Sequence, residues 1–177
     1  MRRLLMLLTL CFVPLLQAAE PPYKEITWEA LVPKGWDPTQ DLKALLNSGK
    51  LQDSDPRAME ALEKMKALWD SAPTEPSLAG MRVRLPGFAI PLEAKADKVS
   101  EFLLVPYFGA CIHSPPPPAN QIIYAVAAKP LKGMRSMDAI WVHGTLSLSR
   151  ADTPWGKAGY RLAVDRIAPY EEAKKNK

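Results

Sequence analysis

Cysteine and histidine are nearly missing from this chain. Among 177 residues there are two of each, Cys11 and Cys111, His113 and His143. Cys11 lies in an N-terminal apolar stretch, so the chain beyond it holds one thiol and cannot close a disulfide on itself. No Cys-x-x-Cys is present, which excludes a dithiol redox centre. A His-Glu-x-x-His, a glycine-rich phosphate loop and a serine-hydrolase elbow are also absent. No run of five like charges occurs, and the basic cluster Lys174-Lys175-Asn176-Lys177 is short, so the net charge of +4 gives no footprint for nucleic acid. Nothing after residue 19 is long and apolar enough to predict a membrane helix.

What is present at the N-terminus predicts export. Met1-Arg2-Arg3 is a positive start, Leu4 to Leu16 is apolar but too short to span a bilayer, and Gln17-Ala18-Ala19 offers small residues for cleavage. Lipid attachment at Cys11 is disfavoured by bulky Leu10 just before it. The expectation is a soluble chain, periplasmic in a bacterial cell and not membrane-spanning once processed. Loss of Arg2 and Arg3 would leave 21 basic residues against 19 acidic, a formal +2. The remainder is about one domain long, enough to build a core without disulfide staples.

Beyond the signal at 1–19, three zones follow. Residues 20–79 comprise an irregular leader, with Trp28, Leu31 and Trp36 as anchors over a core, and a helix from Asp55 to about Ala72. Asp55 suits an N-cap and Pro56 the first helical position, and Pro73 ends the helix. Ala58, Ala61, Leu62, Met65, Leu68 and Trp69 recur at helical spacing, which predicts that this face, Met65 and Trp69 included, joins the core. Residues 80–170 read as a β domain, and 171–177 as a disordered basic tail. Met81, Val83 and Leu85 alternate with arginines until Pro86-Gly87 breaks or turns the strand, which resumes over Phe88 to Leu92. Phe102–Val105, Gln121–Ala128, Ile140–Ser149 and Tyr160–Ile167 are further strands, and the alternation in the third puts His143 with Trp141 on an exposed face. The predicted fold class is mainly β (α+β): a small OB-like barrel or sandwich of five or more strands, with the N-terminal helix packed on it.

The unusual stretch is Leu104 to Gln121, LVPYFGACIHSPPPPANQ. Together with Leu85 to Leu92 and Glu101 to Leu103 it resembles a bacterial family of exported proteins of unknown function with the signature LVPYFGACIHxPPPPxNQ, and the likeness runs from about Trp28 to Tyr170. The resemblance implies export and an association with gene clusters that hold a MacB-type ABC transporter and with zinc-limitation responses. It implies no established activity.

Three chemistries fit Cys111 and His113. The thiol can be a small buried hydrophobe. If Ala110 to His113 is extended, the two side chains share a face and become two ligands for Zn²⁺ or Cu⁺. Further ligands would then come from elsewhere, with Glu101, Asp138 and Asp152 as candidates, or from a partner. Thirdly, Cys111 can be a nucleophile with His113 as base, although same-face strand neighbours stand too far apart for that contact and no orienting third residue is evident. Tyr107, Pro115, Pro116, Pro117, Pro118, Asn120 and Gln121 form a candidate partner-binding segment, since a polyproline backbone docks at low entropy cost. Asn120 and Gln121 are expected to satisfy the carbonyls of the proline run. The combined expectation is an accessory protein of an envelope transport system rather than an enzyme. Its Cys-x-His, proline-rich loop would serve as a zinc or partner site, and the partner would be an ABC transporter or another envelope protein. The alternatives are a structural or interaction module with a buried thiol, and a thiol-dependent enzyme.

Overall fold

A computed structural model describes residues 22–37, 56–95, 97–112 and 116–171. Residues 1–19, where the sequence predicts a signal, lie outside this set, as do Asp55, His113, Ser114, Pro115 and residues 172–177. Five long strands close a barrel: β2 (Arg82–Pro91), β4 (Lys98–Val105), β5 (Ile123–Lys132), β6 (Asp138–Ser147) and β9 (Tyr160–Pro169). Around the barrel the order is β2-β4-β5-β9-β6 and back to β2. The β5–β9 seam is parallel and the other four are antiparallel. Of the barrel or sandwich that the strand pattern predicts, the barrel forms, mainly β with one α-helix among the described residues.

Inward-facing apolar residues fill the barrel. Val83, Leu85, Phe102, Val142, Leu146 and Leu162 are fully buried in one cluster. β4 is apolar on both faces because Leu103 and Val105 meet a second cluster outside the barrel, with Ile90, Ala110, Ile122 and Ala158. Four additional strands are short: β1 (Lys24–Glu25), β3 (Ala94–Lys95) and the hairpin of β7 (Ala151–Thr153) with β8 (Gly156–Ala158). β1 pairs in parallel with β2, so part of the leader expected to be irregular is a strand of the sheet. Leu31 is fully buried and Trp28 packs against the core, as anchors should, whereas Trp36, expected to do the same, is half-buried outside both clusters.

Pro86-Gly87 does not break its strand. β2 runs continuously through it, with Pro86 opposite Trp141 and Gly87 opposite Ile140. The pair marks where β2 changes neighbours: residues 82–89 face β6 and 88–91 also face β4. A bend is needed there to close the barrel. Glycine is required because a Cβ at 87 would stand 2.8 Å from Leu104 Cγ and 2.9 Å from both the Trp28 ring and the Val105 carbonyl.

The helix α1 (Pro56–Asp70) is less embedded than its periodicity suggests. Ala61 is buried, but Leu62 is 54% and Leu68 40% exposed, and Met65 and Trp69 are half-buried outside both core clusters. The strands already fill the barrel, so the helix finds only a rim to rest on. Its C-terminal end is the fixed one. The Arg150 guanidinium donates to the carbonyls of Asp70 (3.1 Å), Ser71 (3.1 Å) and Ala72 (2.5 Å), supplying donors for orphan carbonyls and a positive charge at the negative end of the dipole. Among the described residues no helix is long and apolar enough to cross a membrane.

Candidate partner groove and thiol site

The segment after β4 turns sharply. Pro106 to Ile112 form successive turns in which Ala110 N–H donates to Tyr107 O and Ile112 N–H to Gly109 O. Gly109 has φ 84° and Cys111 has φ 66°. The extended geometry expected at Cys111 is therefore not what forms there: the residue adopts the left-handed conformation of a tight turn. His113 lies outside the described residues. Tyr107 and Phe108 are exposed at the turn, and Phe108 leans edge-on against Phe88, with ring centroids 5.8 Å apart.

Cys111 is half-buried against the second apolar cluster, and burial pushes its thiol up to about 11. At pH 7 roughly one thiol in ten thousand would be ionised, the reverse of an activated nucleophile. Iodoacetamide should thus react slowly with Cys111 at neutral pH and accelerate about tenfold per pH unit up to pH 10. Fast labelling that levels off below pH 8 would instead reveal a thiolate stabilised in place.

The other proposed metal ligands stand apart in separate structures. Glu101 accepts the Tyr124 hydroxyl hydrogen bond, Asp138 accepts the Arg135 backbone N–H, and Asp152 is exposed on β7. Among the described residues no three His, Cys, Asp or Glu side chains gather into a metal-holding group. The surroundings of Cys111 favour a neutral thiol, so a zinc site at this turn would draw on His113 and on ligands beyond those described. His143, expected on an exposed face, does share its face with Trp141 but is only 3% exposed, because the leader residue Tyr23 covers it with an edge-on ring at 5.2 Å.

The proline run is described from Pro116 onward. Pro118 has φ −54° and ψ 149°, close to polyproline geometry, and Pro117 is buried while Pro116 is exposed. Contrary to the expectation from sequence, the side chains of Asn120 and Gln121 do not donate to the carbonyls of the proline run. Asn120 Nδ2 donates to Pro73 O (3.0 Å), and Gln121 Nε2 donates to Trp28 O (2.9 Å). The backbone N–H of Gln121 covers Pro118 O instead, at 2.7 Å. The two amides thus staple the leader and the segment after α1 to the barrel. Asn120 is fully buried, which explains why an amide rather than a charge stands there.

These staples shape a groove of about 470 Å³. Its walls are Trp28, Trp69, Tyr107, Pro106, Pro117 and Pro118, with Gln121 and Glu29 also on its lining. Four of the seven residues of the candidate partner segment meet there: Tyr107, Pro117, Pro118 and Gln121. Trp28 and Trp69 complete it from the leader and from α1. Their spacing in the sequence predicts only packing roles for both tryptophans, and their three-dimensional convergence has no sequence-local signal. The Thr27 hydroxyl hydrogen-bonds the Glu29 carboxyl and holds it below the usual carboxylate range, so the groove carries a negative charge at neutral pH.

A family described as "Protein of unknown function (DUF3299)" matches residues 28–169. Among solved structures, the chain is similar to the crystal structure of a DUF3299 family protein from Pseudomonas aeruginosa PAO1. The two are 35% identical, with 86% of this chain and 99% of that chain covered and a TM-score of 0.64. No curated protein matches.

Proposed function

This chain belongs to the DUF3299 family of proteins of unknown function, and we propose that it is an exported, non-enzymatic interaction module whose proline-rich loop helps to build a docking groove for an envelope transport system of the MacB type. The observation that carries this is the groove itself, in which aromatic and proline walls meet one carboxylate. Aromatic-lined grooves of this kind take extended, proline-rich segments, and a carboxylate on the lining selects for a basic residue in the segment. The occupant is therefore an extended stretch of a periplasmic transporter subunit that places a lysine or arginine against Glu29. The protonated, half-buried thiol of Cys111 fits a packing role at the base of the turn that presents Tyr107.

A photo-crosslinking residue at Tyr107, in cells, tests the groove against the same residue at exposed Lys98. Adducts with a transporter subunit are expected from position 107 only. Trp69→Ala should reduce them at least about tenfold, the usual weight of an aromatic anchor. Equal labelling from both positions, or adducts indifferent to Trp69→Ala, would remove the groove from the account. A zinc-linked version of the role adds Cys111 and His113 as two metal ligands, with the remainder from the partner. Competition with a chromophoric chelator separates the two versions: stoichiometric binding lost in both Cys111→Ser and His113→Ala supports zinc handling, and no binding by the wild type ends it.

A further inference from the structure

His143 is the buried titratable group that the groove does not use. It stands on the outer face of β6, between Arg84 of β2 and Arg166 of β9 in one register row across three strands. It is 97% covered, and its Nδ1 is buried with no protein hydrogen-bond partner. The cover comes from Tyr23, just before β1. Its ring stands edge-on to the imidazole, and its hydroxyl donates to Asp165 Oδ2 at 2.8 Å. Arg82 lies 4.4 Å from the centre of the same ring and ion-pairs with Asp165 at 3.6 Å. Arg166 approaches the ring at 5.9 Å. Next to Tyr23, Glu25 pairs with Arg84 at 2.6 Å. The charged groups around His143 and its cover are therefore three arginines, of which Arg84 and Arg166 flank the imidazole, and two carboxylates that already serve other cations.

We propose that the Tyr23–Glu25 strap is an acid-released latch, with His143 as the group that senses pH. With the strap closed, a proton on the imidazole would sit out of water between two guanidinium groups of like charge. Burial, then Arg166 and Arg84, hold its pKa below the ordinary histidine value of 6.5. With the strap open, water reaches the ring and its pKa returns toward 6.5. The sign follows directly. Above about pH 6.5 both states are neutral at His143 and the latch keeps its full stability. As pH falls below that value the open state gains a proton that the closed state resists. The open fraction then grows by up to tenfold per pH unit until the closed state titrates too. The strap continues through buried Ile26 to Trp28, so release at Tyr23 begins five residues from the groove wall.

The test is an NMR titration of the protein from pH 8 to pH 5, following the imidazole of His143 and the ring of Tyr23. The His143 midpoint should fall below 6.5, and the Tyr23 signals should move with that same midpoint. In His143→Gln the Tyr23 signals should stay still over this range. Arg166→Gln changes a group at the outer edge of the row and keeps the fold in reach even where the histidine variant does not; it should move the shared midpoint upward. A His143 midpoint at or above 6.5, Tyr23 signals that ignore it, or an Arg166→Gln midpoint that does not rise would each overturn the latch.

Discussion

Tyr160→Phe should destabilise the protein by about 2–4 kcal/mol, although it removes a single oxygen. Tyr160 opens β9 with its ring fully buried in the barrel core. Its hydroxyl donates to Leu31 O at 2.7 Å and accepts the Glu75 N–H at 2.6 Å. One side chain therefore satisfies a carbonyl of the leader and an amide of the segment after α1. Phenylalanine fills the same space and leaves both groups without their partner, each at a cost of about 1–3 kcal/mol when buried. Burial, the largest influence, also raises the phenol pKa above its usual value, so the hydroxyl remains a donor across the physiological range. Urea unfolding should show a lower midpoint with an unchanged slope, and thermal unfolding should fall by about 10 °C. A change below about 0.5 kcal/mol would mean that water replaces the hydroxyl on both sides.

Gly144→Ala should cost more, about 3–5 kcal/mol, and expression of folded protein should drop sharply. Gly144 sits in β6 at a bulge, where the register with β9 shifts between His143 and Gly144. An added Cβ there would overlap the carbonyl oxygen of Ala163 and press on Leu162 Cγ at 3.2 Å. The first obstacle is backbone of the facing strand, which no rotamer change can move. β6 and β9 would have to part, and their seam is one of the five that close the barrel. Gly133→Ala is the control: a Cβ at 133 meets nothing within 4 Å, but φ is 71°, so only the left-handed backbone penalty of about 1–2 kcal/mol applies. Equal losses for the two variants in denaturant unfolding would contradict the steric account.

The barrel was largely legible in the sequence because its strands bury one face. Alternation over Ile140 to Ser149 and from Tyr160 onward marks β6 and β9, and a run of four apolar residues marks the doubly covered end of β4. What escaped were features decided by neighbours distant in sequence. β1 has two residues and no pattern of its own; it forms because Lys24 and Glu25 meet Val83 and Arg84. His143 has the spacing of an outward residue, and only the arrival of Tyr23 from more than a hundred positions away buries it. The helix shows the opposite error: its apolar spacing is real, but the barrel offered that face too little surface. At the candidate site, the residue types in Tyr107 to Gln121 pointed to a loop of which Tyr107, Pro117, Pro118 and Gln121 line the groove. The turn at Cys111 and the two tryptophan walls depended on the folded barrel.

The position of β9 between β5 and β6 also sets the order in which this protein can be made. Until Tyr160 to Pro169 arrive, the strands already present have no way to become a cylinder. β5 and β6 then each present an open edge of unpaired backbone, and the β5–β9 seam joins residues more than thirty positions apart. Closure is consequently a late, long-range event that no earlier segment can nucleate by itself. A chain stopped short of its last strand is an open sheet with two adhesive margins, prone to pairing with its own copies.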